Sequence, residues 1–130
     1  MNIILETLLI SMGVILASWG LFHQLIVGGA ITIFKNIEEN EARLFIMGWV
    51  AQGGFMVFLG IVPPLLIWLF GMQQEVVRTI MAINGASLLL LGAHVFFTGF
   101  STHIKPIRIG AILSATYGFS LISALILPSF

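Results

Sequence analysis

Residues 44–74 read LFIMGWVAQGGFMVFLGIVPPLLIWLFGMQQ, without one Asp, Glu, Lys or Arg. A helix rises about 1.5 Å per residue, and roughly 20 apolar residues cross a bilayer core. This stretch is long enough for one crossing and too short for two. Period-2 alternation is absent from it, and a closed membrane barrel starts at about eight strands, so a helix is the expected form.

The same reading extends outward. The charged residues collect in four places: Glu6 near the start, Lys35 to Arg43, Glu75 with Arg78, and Lys105 with Arg108. The stretches between them, 7–34, 44–74, 79–104 and 109–130, carry no Asp, Glu, Lys or Arg. Four spans are expected, near 5–32, 43–69, 78–101 and 107–127. The first lacks a basic leader and its apolar run is too long for a secretory signal alone. The fold class expected is an all-α, four-transmembrane-helix bundle in one domain, 1–130, connected up-down-up-down.

Composition agrees. Hydrophobic residues make up 59% and charged residues 8% of the chain. Soluble domains carry about 25% charged residues, so a water-covered surface is excluded. Five Lys+Arg balance five Asp+Glu, which offers no basic surface for nucleic acid. The chain has no Cys, so disulfides, thiolate metal sites and thiol redox chemistry drop out.

The connections are short. KNIEENEAR, 35–43, holds the first reversal, with Asn36 or Asn40 expected as helix cap and Glu41 in the first turn. Gly71 suits a C-cap, and Pro106 suits a first helical turn. Lys35, Arg43, Lys105 and Arg108 fall on loops one and three, and Arg78 with the N-terminal amine on the other side. The positive-inside rule then places loops 35–43 and 103–108 in the cytoplasm, in a bacterial-type inner membrane or a plasma membrane. Pro63-Pro64 leaves the carbonyls of Leu59 and Gly60 without their usual donors. Either the second span kinks there, or it ends near Val62 and PPLLIWLFG lies at the interface, anchored by Trp68.

Small residues mark packing faces. Gly48, Gly53 and Gly60 in the second span, and Gly110, Ser114 and Gly118 in the fourth, have the spacing of close helix contacts. In the third span Asn84, Ser87, Leu91, His94, Thr98 and Ser101 follow steps of three and four and share one face. Polar groups in hydrocarbon turn inward, so this face is expected to look into the bundle. Gly20, His23 and Gln24, with Gly13, share a side of the first span. Gln52 is the matching polar residue of the second, and Tyr117 joins Ser114 on the fourth.

His23 and His94 are the residues that carry chemistry, if any do. His23 lies about 16 Å from Phe34 and His94 about 13 Å from His103 by helical rise, so the two share a depth. A haem b with two axial imidazoles suits them, with Gly20, Gly92, Phe22, Phe96 and Phe97 as walls. A metal site with Gln24, Gln52 or a Met would lack any membrane carboxylate and is under-liganded. A third use is a pocket for a quinone or other lipophilic ligand, or a small transport path, lined by Gln24, Gln52, Asn84 and Tyr117. The plain alternative is a pair of neutral histidines bonded within the packing. Glu6 reads as an interfacial carboxylate, or as a proton-coupled site lying close to the end of its span.

No protease, phosphate-loop or dinucleotide motif is present. The leading expectation is a small membrane subunit without chemistry of its own, packed on itself or on a larger membrane protein. The bis-histidine haem b carrier is the main rival, and no catalytic residue is assigned.

Overall fold

A computed structural model describes residues 3–126, and position 127 of the fourth expected span lies outside the described residues. The chain forms α1 (Ile3–Leu25), a short α2 (Val27–Ile31), α3 (Glu39–Phe70), α4 (Glu75–Gly99) and α5 (Lys105–Ile126). Four of these helices, α1, α3, α4 and α5, are long and apolar enough to cross a membrane.

The first expected span is two helices rather than one. The break falls at Ile26, whose ψ of 3° leaves the helical region. Gly28 and Gly29 follow at once and weaken the helix they begin. The Trp49 indole N–H donates to the backbone carbonyl of His23, the last buried residue of α1. A tertiary partner thus holds the chain where the helix turns aside.

α3 starts on a different cap from the one expected. Glu38 takes the cap position, and its N–H donates to the Glu41 carboxylate at 3.4 Å. Asn36 instead adopts φ 60°, a left-handed conformation that Asn tolerates in a turn. The helix runs through Pro63 and Pro64 to Phe70 and does not end near Val62. Gly71 closes it as expected, with φ 74° and its N–H on the Ile67 carbonyl at 2.8 Å. Pro106 stands second in α5.

α1 packs most closely on α3, and α4 on α5; α1 with α5 and α3 with α4 complete the ring, which sets α1 and α4 across a diagonal. Leu16, Met56, Leu59, Met81, Leu88, Tyr117 and Leu121 fill the space between them. A smaller apolar cluster of Ala30, Trp49 and Ile104 closes one end.

Both close pairs are glycine seams. A Cβ on Gly20 would lie 2.6 Å from the carbonyl oxygen of Gly53, and one on Gly60 would lie 2.7 Å from that of Gly13. The Pro64 ring occupies the slot that Gly13 leaves open. On the other pair, a Cβ on Gly118 would lie 2.8 Å from the carbonyl oxygen of Gly85. Gly53, Gly60, Gly110, Ser114 and Gly118 are all buried, as packing residues must be. Gly48 is not one of them: it is exposed, with no atom of another helix within 4 Å of a Cβ there.

Candidate functional site

The buried polar groups of the bundle start with His23 on the last turn of α1. Its residue surface is 0% exposed. The imidazole stacks on the Trp49 indole, ring centres 4.1 Å apart and planes 5° from parallel. Trp49 leads outward to Phe45 at 5.3 Å, and Phe45 to Phe34 at 5.0 Å. These rings form a row from the α2–α3 connection into the interior. Both imidazole nitrogens of His23 lack a hydrogen-bond partner among the described residues. Buried polar atoms of that kind are uncommon, because each forfeits its hydration.

The other candidates are spread apart. Asn84 is buried, donates through Nδ2 to the Ile80 carbonyl at 2.9 Å, and leaves Oδ1 unpaired. Tyr117 is buried with its hydroxyl unpaired. That hydroxyl lies 2.7 Å from where a Cβ on Gly13 would sit, beside the Gly60 carbonyl that Pro64 deprives of a donor. Gln24 and Gln52 are half-buried, and the Gln24 stem rests where Gly53 has no side chain. Neither Asn84, Tyr117, Gln24 nor Gln52 lines any of the cavities described here.

His94 departs from the sequence expectation. It is exposed, on the outer side of α4, while His23 is buried against α3. The structure does not bring the two imidazoles together, so one chain offers no bis-histidine axial pair. Of the expected polar stripe on α4 only Asn84 is buried; His94, Thr98 and Ser101 are exposed. The buried stripe is Gly85, Leu88, Gly92, Val95 and Gly99, each one position later. One residue turns a helix by about 100°. The glycines decide that rotation, since they let α4 approach Ala111, Ala115 and Gly118 of α5. Their seven-residue spacing, Gly85, Gly92 and Gly99, was the available signal. Gly13 and Gly20 repeat it on α1, and Gly53 and Gly60 on α3.

Among the described residues no group of three or more His, Asp or Glu side chains is placed to hold a metal ion. The largest cavity described lies on the side of the α4–α5 pair. It measures about 440 Å³ and is lined by Leu89, Gly92, Ala93, Phe96, Phe97 and Ala111, among others. Phe97 beside it is 82% exposed, as bare as any large apolar side chain described. A second cavity, of about 350 Å³, joins Ile26, Gly29 and Ile33 to His103 and Lys105. The turn after α2 and the α4–α5 connection therefore meet at one end. At the other, the Met72 N–H reaches the Glu6 carboxylate at 3.5 Å.

The chain matches no protein-family model, and neither a curated protein nor a solved structure shows significant similarity to it. Its four long apolar helices fit a small multi-pass membrane protein.

Proposed function

We propose that the chain is a small membrane subunit that works by lateral association. Its α4–α5 face receives a transmembrane helix of a second copy or of a larger membrane protein. The observation that carries this reading is the open apolar groove on the α4–α5 side; His94, exposed on α4 outside the lining of that groove, adds to it. An imidazole turned toward lipid forfeits its hydrogen bonds, whereas a neighbouring helix supplies them. The groove supplies shape: small Gly92, Ala93 and Ala111 line it together with the rings of Phe96, Phe97 and Phe100.

In this reading the chain crosses the membrane four times in up-down order. The meeting of α2 with the α4–α5 connection, and of Glu6 with the α3–α4 turn, supports that order. The Lys and Arg balance supports a cytoplasmic side for the first and third loops.

The chain has no Cys of its own, so single cysteines report cleanly. Ala93→Cys and Phe97→Cys, labelled with maleimide-benzophenone and irradiated in native membranes so that the probe inserts into C–H bonds of whatever lies against it, are expected to give adducts. An adduct at twice the chain mass identifies a second copy, and a heavier one a larger subunit. Val50→Cys, on the outer side of α3, serves as the reference. Adducts that are absent at positions 93 and 97, or equally strong at position 50, would sink the reading.

A further inference from the structure

At the end opposite the histidines, a cavity of about 380 Å³ joins Glu6, Thr7 and Ile10 of α1 to Ile67, Trp68 and Phe70 of α3. Its volume falls in the range of small-ligand sites. Glu6 is half-buried, and the polar contact its carboxylate makes is the 3.5 Å approach of the Met72 N–H. No cation among the described residues answers its charge. The ion pair given by the described residues, Arg43 with Glu39, lies at the far end of α3, and Arg78 spends its guanidinium on the Leu125 carbonyl at 2.8 Å. A carboxylate recessed among isoleucines loses hydration, and its charge calls for a counter-cation.

The walls say which kind of cation. A hard metal ion needs about six oxygen ligands, and this cavity offers one carboxylate and one hydroxyl. It does offer two aromatic rings, Trp68 and Phe70, 75% and 60% exposed. Aromatic faces attract organic cations through the ring quadrupole, tryptophan most strongly. We infer that this cavity binds an organic ammonium group. Glu6 supplies the charge, Trp68 and Phe70 supply ring faces, and Ile10 and Ile67 receive the alkyl substituents. Two sources share that chemistry: the amine headgroup of a neighbouring phospholipid, and a free lipophilic amine.

The test is a calorimetric titration of the detergent-purified full chain with tetrapropylammonium chloride, against sodium chloride at equal ionic strength. Saturable binding is expected, weakened roughly tenfold in Glu6→Gln. Trp68→Leu should weaken it about threefold through loss of the ring face. Trp68→Leu keeps the carboxylate and its backbone contact, so it still decides the matter if Glu6→Gln does not fold. Absence of saturable binding to the folded wild type overturns the inference, as does unchanged binding in either folded variant. Lipid analysis of the same preparations separates the sources. Phosphatidylethanolamine enriched over phosphatidylglycerol in the wild type, and not in Glu6→Gln, assigns the lipid. Probe binding without that enrichment assigns a free amine.

Discussion

The α1–α3 and α4–α5 seams use the same device and differ in how much room they leave. On α1–α3, backbone meets backbone: a Cβ on Gly60 would lie 2.7 Å from both the Ala17 amide nitrogen and the Gly13 carbonyl oxygen. On α4–α5, side chains share the contact. A Cβ on Gly85 would meet the end of Ile122 at 2.9 Å, and one on Gly92 would meet the Ala115 methyl at 3.2 Å. The Ile122 side chain can rotate away, and at Gly92 the contacts, 3.2 Å to the Ala115 methyl and 3.3 Å to the Ala111 carbonyl, are wider, whereas the α1–α3 backbones must move apart as rods. The first seam is therefore the rigid one. The second is tight at Gly118 and opens outward into the groove beside Phe97.

The comparison is broken most directly at Gly60. Gly60→Ala is expected to lower stability by about 3 kcal/mol, because overpacking there has no side chain to absorb it. Gly92→Ala should cost no more than about 1 kcal/mol. Unfolding of both variants in mixed micelles, followed by tryptophan fluorescence, gives the two values. Equal losses would show that the seams are equivalent.

Trp49→Phe asks what happens where the glycines of α1 run out. Phenylalanine keeps a ring against His23 and loses the indole donor to the His23 carbonyl. A loss of about 1 kcal/mol is expected, the usual net worth of one hydrogen bond. An unchanged melting temperature would mean that the break at Ile26 holds itself without the indole.

The smallest effect belongs to Gly48→Ala. Gly48 packs against none of the described residues, so a methyl there meets open space among them. Helix propensity then predicts a gain of about 0.5 to 1 kcal/mol in micelles. A loss instead would reveal a neighbour on that side of α3, and would extend the proposed lateral contacts beyond the α4–α5 face.

The positions of the four long helices were legible because charge is so scarce: every connection between them is marked by Lys, Arg, Glu or a turn residue. Their rotation was not. In a chain where most residues are apolar, polarity separates inside from outside poorly, and the polar stripe through His94 pointed the wrong way. The heptad glycines of α4 carried the correct rotation, because close approach of backbones excludes any larger residue whatever its polarity. The break at Ile26 escaped for another reason. It depends on Trp49, distant in sequence, and local propensity says nothing about such a partner. Of the candidate site, His23 and Tyr117 are buried on the sides their small neighbours Gly20 and Ser114 mark, whereas Asn84 is the one member of its stripe that is buried. The stacking of His23 on Trp49 was not legible, since it needs the register of two helices at once.

The length of α3 has a consequence for where such a protein can reside. Its uncharged part, Leu44 to Phe70, makes a rod of about 40 Å, against a hydrocarbon layer of about 30 Å. The other three long helices have 22 to 25 residues and fit with modest lean. Because α1 is locked along α3 by backbone contact, α3 cannot tilt by itself to hide its excess. On the proposed four-span reading the whole bundle must lean, or the lipid around one face must stretch. Either response has an energy that depends on bilayer thickness, so membranes of different thickness hold this bundle with different ease.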